Sequence, residues 1–173
     1  MIWEQIHLNF YTQYSYNKWH RKNEICPLCH KTPDSIYHIM LFCDFSVQLW
    51  NDIEPILKQL HNAPISNEEK AFGVVLKNLT AGPLVRNWLT FLLREFIAEE
   101  ERRSYHTKKK PNLQNAKRDF NYAVKWEIRI KLLQYEHSGN TDKLDKIITH
   151  GEVLCKKGGD DQYQIRDIFP MVA

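Results

Sequence analysis

A chain of 173 residues, 43% hydrophobic and 26% charged, has the make-up of a folded domain with room for an apolar core, which excludes wholesale disorder. No apolar run approaches the roughly 20 residues of a bilayer span, and the N-terminus lacks the charged start and apolar core of a signal peptide. The expectation is an intracellular chain, in cytoplasm and/or nucleus, without a membrane partner. A formal net charge of +3 does not by itself mark a nucleic-acid binder, but from Arg94 to Lys131 eleven Lys/Arg stand against six Asp/Glu, a net +5 that leaves the rest at −2.

In chain order, Ile2, Trp3, Ile6 and Phe10 share one helical face and predict a helix to Trp19. Pro27 and Pro33 make 25–33 a tight loop, and Asp34 or Ser35 is a candidate N-cap. From Ile36 to Leu60, apolar residues recur at helical spacing, with a break expected near Cys43 and Asp44 and a bend or split at Pro55. Residues 61–66 are a connector, and 67–79 reads as a short turn region with Phe72, Val74, Val75 and Leu76, for which helix and strand stay open. Gly82 and Pro83 then punctuate the chain.

The strongest helical pattern follows, from Leu84 through Trp88, Leu92 and Ile97 into Arg103. Lys108 to Pro111 interrupts it, and a second long helix is predicted from Leu113 to Tyr135. A short helix is expected at Thr141–Ile148, with a linker over 158–162. Trp50, Trp88 and Trp126 fall within apolar patterns and are assigned to packing. The fold class is mostly α, a helical bundle with a small CCHC zinc knuckle. It divides into 1–61 (N-terminal helix, knuckle and following helix), 62–150 (bundle with a basic interhelical turn) and 151–173 (flexible tail).

Cysteine usage supplies the chemistry. Intracellular thiols stay reduced, so four cysteines argue against a disulfide scaffold, and three lie within eighteen residues. Cys26, Cys29, His38 and Cys43 have the spacing C-x2-C-x8-H-x4-C. A two-residue gap lets both thiolates of a knuckle face one ion, and zinc favours four nitrogen and sulfur ligands. With four protein ligands no position is left for water, so a Zn2+ cofactor would be a staple rather than a catalyst. His30 is an alternative to His38 that should point away. For His38 and Cys43 to converge, the helix must break or tighten near Cys43.

The run Ile25-Cys-Pro-Leu-Cys-His30, then Ser35-Ile-Tyr-His-Ile-Met-Leu-Phe-Cys43-Asp-Phe45 and Leu49-Trp50, resembles the zinc-binding region at the C-terminal end of reverse transcriptases from non-LTR (LINE-type) retrotransposons. Residues Leu8 to Trp19 are similar to the segment that joins the polymerase thumb to that motif, and the stretch from Lys70 to Gly73 and Trp88 to Arg102 is similar to the tail after it. The resemblance implies a nucleic-acid-binding accessory region, for RNA template or target DNA, with the reverse transcriptase core as a possible partner and no small-molecule substrate.

It does not imply polymerase activity. The palm's Tyr-x-Asp-Asp is absent, and Asp160-Asp161 sit in a polar tail. Where some members carry a nuclease Pro-Asp, this chain has Pro111-Asn112, and asparagine lacks the charge to hold Mg2+. No enzyme is expected.

Two basic groups are candidates for nucleic acid. One is Arg102, Arg103, Lys108, Lys109, Lys110, Lys117 and Arg118 at the junction of the long helices. The other is Lys18, Arg21, Lys22 and Lys31 around the knuckle, with His20 and with Trp19 and Tyr37 as stacking candidates, Trp19 being open to packing as well. The alternative is a zinc-stapled protein-protein interaction module. Cys155 beside Lys156 and Lys157 is a weak candidate for a lowered thiol pKa. Glu99-Glu100-Glu101 with Arg102-Arg103 reads as a solvated, ion-paired helix face.

Overall fold

The computed structural model describes residues 25–72, 80–139, 141–159 and 162–170. The helix predicted from Ile2 to Trp19 and the basic residues Lys18, Arg21 and Lys22 lie outside them, as do Trp19, His20 and Asp160-Asp161.

Ser35 is the cap the sequence offered: its Oγ accepts the His38 N–H at 3.1 Å. The backbone then turns as a π-helix over His38–Phe42. Cys43 is extended, and helix α1 follows over Asp44–His61. The expected break therefore falls where the sequence placed it. Pro55 does not split α1, because it and Asn51, whose carbonyl it orphans, both face solvent. Asn62 ends the helix in the left-handed region and donates its N–H to the Lys58 carbonyl.

Of the open choice over 67–79, residues 73–79 lie outside the described residues, and the first part resolves to helix α2, Asn67–Phe72. Its start is a capping box: Ser66 Oγ accepts the Glu69 N–H at 3.1 Å, and the Glu69 carboxylate accepts the Ser66 N–H at 2.8 Å. Helix α3, Ala81–Thr107, buries Val85, Leu89, Leu93 and Ile97, one residue every fourth position on one face. Burial of each is worth roughly 1.5–3 kcal/mol over exposure. Gly82 is required where α3 begins, since a Cβ there would stand 2.3 Å from the Leu60 carbonyl oxygen.

Arg86 is the buried cation that the periodicity hid. Its guanidinium donates to the carbonyls of Leu57, Ala63 and Pro64 and to the Glu69 carboxylate, so it ties the end of α1, the connector and α2 onto α3.

Helix α4, Leu113–Ser138, is capped by Asn112, whose Oδ1 accepts the Asn115 N–H at 3.0 Å. Its core face is Ala116, Phe120, Val124 and Ile128. Helix α5, Thr141–Ile148, forms as predicted, and a single 3-10 turn follows over His150–Glu152.

From residue 151 the structure departs from the expectation of a flexible tail. Strands β1 (Cys155–Lys157) and β2 (Tyr163–Ile165) form an antiparallel hairpin with Lys156 opposite Gln164. Val153, Leu154, Cys155, Ile168 and Phe169 are buried in the same apolar cluster as Cys26. Asn121 of α4 secures this end: its amide donates to the Phe169 carbonyl and accepts the N–H groups of Ile168 and Phe169, all at 2.8–2.9 Å. Phe169 also packs on Phe120, which meets Phe96 edge to face. A long polar stretch looked loose because only a few of its residues carry its anchoring.

The fold is mostly α with a Cys/His knuckle, as expected. No described helix is long and apolar enough to cross a membrane.

Candidate metal centre and basic face

The knuckle begins as a pinched loop. Ile25 bridges Pro33, the Cys26 N–H donates to the Thr32 carbonyl at 2.8 Å, and the His30 N–H donates back to the Cys26 carbonyl at 2.8 Å. Closing so tight a loop puts His30 in the left-handed region with its side chain exposed. It stands outside the ligand cluster, as expected. Backbone N–H groups of Leu28 and Cys29 point at the Cys26 sulfur, the arrangement by which a knuckle steadies its thiolates.

The π-turn solves the H-x4-C problem. In an α-helix, residues five apart are about 140° around the axis from each other. The wider π-turn instead closes the Cys43 N–H onto the His38 carbonyl at 2.6 Å, which brings the two side chains to one face. The helix widens where the sequence argument allowed for a break or tightening. Met40, at the centre of the π segment, accepts the indole N–H of buried Trp50 through its carbonyl and so locks the segment onto α1.

The ligand atoms of Cys26, Cys29, His38 and Cys43 all lie within 4.8 Å of one another. Cys26 Sγ is 3.9 Å from Cys43 Sγ, and Cys29 Sγ is 3.3 Å from His38 Nε2. Three sulfurs and one imidazole at these separations fit a tetrahedral zinc and could hold one. Thr32 Oγ1 is within 3.1 Å of the imidazole and 3.8 Å of Cys29 Sγ, so it can orient both. The Cys43 thiol is drawn down to about 6, first by its hydrogen bond with Cys26 and further by the Phe45 and Ser46 N–H groups at the start of α1. The same pairing, with burial, drives the Cys26 thiol upward.

The basic candidates divide by what they touch. Lys31 is ion-paired to Asp44 at the head of α1, across the mouth of the knuckle. Lys110 adds a weaker electrostatic pull on the same carboxylate, after Lys31 and His38. Lys108, left-handed where α3 ends, sits 4.0 Å from the Tyr105 ring centre. Lys109, Lys110 and Arg118 border a cavity of about 220 Å³ together with Asn112 and Asn115.

Lys117 is spent differently: its ammonium is 2.7 Å from Asp52 of α1 and 14% exposed, which makes it an interhelical strut. Arg102 pairs with Glu99, and Arg103 with Glu100 and more distantly with Asp119. Glu100 and Glu101 are buried rather than solvated, and burial raises the Glu100 carboxyl pKa. Cys155 is buried too. Its thiol is pushed up to about 11 by loss of solvent and secondarily by Asp145, the reverse of the shift expected from its lysine neighbours.

Of the aromatic assignments, Trp50 is buried and Trp88 half-buried, but Trp126 is 63% exposed and is not a packing residue. Tyr37, the stacking candidate beside the knuckle, is exposed together with Ile25 and Phe42.

Residues 1–50 match the family described as zinc-binding in reverse transcriptase, a span that contains all four cluster residues and ends on Trp50. This segment is similar to the zinc-binding region of reverse transcriptases. No curated protein and no solved structure matches the chain.

Proposed function

We propose that Cys26, Cys29, His38 and Cys43 hold one structural zinc, and that the region so stapled binds nucleic acid, RNA template or target DNA, as an accessory part of a LINE-type, retrotransposon-derived reverse transcriptase. The ion, when bound, fixes the π-turn against the Cys26–Cys29 loop. Four protein ligands leave it no water to activate, so the ion is a staple rather than a catalyst. The observation that carries the reading is the run of three exposed lysines where α3 ends, with Lys31 exposed on the knuckle as well. Lys108, Lys109 and Lys110 are exposed there and able to neutralise phosphates.

A second reading has its own support. Ile25, Tyr37 and Phe42 are large, apolar and exposed around the knuckle, a surface suited to docking on a protein such as the polymerase core.

The test is affinity of the zinc-loaded chain for single-stranded RNA and duplex DNA across a salt series. Affinity should fall steeply with salt, and replacing Lys108, Lys109 and Lys110 by Ala should flatten that dependence by roughly two to three units of logarithmic slope. No binding at about 50 mM salt would overturn the nucleic-acid reading and leave protein docking as the account.

A further inference from the structure

Helix α4 has a second organised face. Its core residues Ala116, Phe120, Val124 and Ile128 occupy one side. On the opposite side, at about 100° per residue, Arg118, Tyr122, Trp126, Arg129 and Leu133 fall within an arc of about 80° and extend for about 22 Å. Tyr122 is 66%, Trp126 63% and Leu133 60% exposed. One such residue is ordinary at a surface, whereas a continuous row marks a site.

Charge decides what fits the row. Between Asn115 and Leu133 no Asp or Glu falls within this arc. Asp119 borders it, 3.5 Å from Arg118, and no acid pairs with Arg129 among the described residues. At its N-terminal end the row runs into the cavity where Arg103, Lys109, Lys110 and Arg118 outnumber the carboxylates Glu100 and Asp119. Two adjacent rings flanked by cations suit a polyanion with exposed bases: guanidinium groups take phosphates, and rings one helical turn apart accept bases on their faces. A duplex keeps its bases stacked inside and cannot use the rings.

We propose that this face of α4 is a track for single-stranded nucleic acid, with Tyr122 and Trp126 stacking on unpaired bases while Arg118 and Arg129 hold the flanking phosphates. The inference rests on the nucleic-acid reading above and adds the strandedness and the residues that choose it.

The experiment uses the zinc-loaded full chain with a labelled single strand of about 15 nucleotides and a blunt duplex of the same length. Replacing Tyr122 and Trp126 together by Ala should weaken single-strand binding tenfold or more, with duplex affinity and the salt slope unchanged. Replacing both by Phe keeps the rings and should retain most of the affinity. Arg118→Gln with Arg129→Gln should instead reduce the salt slope by one to two units, as about two phosphate contacts are lost.

If the wild type binds both nucleic acids and the Ala pair binds the single strand equally well, the track is refuted and the broader reading stands. If the wild type binds neither, both fall. Equal losses in the Phe and Ala pairs would also overturn stacking. So would self-association of the wild type that Trp126→Ala abolishes while single-strand affinity is untouched, an outcome that assigns the face to a second copy.

Discussion

The knuckle between Cys26 and Cys43 and the C-terminal segment between Val153 and Phe169 meet the same physical problem, since each is a short irregular stretch that must be held on a helical core. The knuckle gathers four ligand atoms within 4.8 Å, so that one ion can replace the hydrogen bonds its loop cannot make. The C-terminal segment relies on the amide of Asn121, on burial of Val153 to Cys155, Ile168 and Phe169, and on Tyr163–Asp145 and Lys125–Asp167 contacts. A metal site needs particular residue types at particular spacings and so is written into the sequence. An asparagine that anchors backbone 47–48 residues away has no local signature.

Breaking the knuckle should have the larger effect. Cys43→Ser removes a ligand at the junction of the π-turn and α1, and metal content should fall from about one per chain to near zero with a loss of about 4–5 kcal/mol in stability. Elemental analysis and denaturant unfolding check both quantities, and retention of a full equivalent of metal would mean that the four side chains are not the site.

Asn121→Ala should come next. It leaves two buried N–H groups and one carbonyl without partners, at a cost of roughly 2–4 kcal/mol. Metal content should not change, because the two anchors are separate; hydrogen exchange should rise at Ile168 and Phe169. Zinc loss in this variant would show the two regions to be one cooperative unit.

The smallest effect separates the cysteines by pH. Cys155, the first residue of β1, is buried with its thiol raised to about 11 from the ordinary 9.0. A folded-state pKa above the unfolded value stabilises the fold fully below pH 9, and that contribution is lost as pH rises through about 11, at most about 2–3 kcal/mol in all. Unfolding measured from pH 8 upward should show this decline. It should be absent from Cys155→Ala, and native Cys155 should resist alkylation at neutral pH.

Legibility in the sequence followed the range of the forces. The helices at 44–61, 113–138 and 141–148 were readable from period and punctuation, as was the break at Cys43, because capping and i,i+4 contacts are local. Arg86 and Trp126 were not. Arg86 lies inside an apolar pattern yet bonds three carbonyls and a carboxylate on other elements. Trp126 lies in an equally apolar pattern yet faces water. Periodicity on a helix apolar around much of its circumference does not say which side finds a partner.

By itself, then, the sequence determined the helical class, the four Cys/His side chains and the basic turn at 108–110, since spacing, propensity and composition act over a few residues. Tertiary structure alone decided that Lys117 is a strut, that residues 153–155 and 168–169 are packed and that Trp126 faces outward. Each of these depends on which surfaces meet across the fold, and burial, not identity, sets what a side chain is free to do.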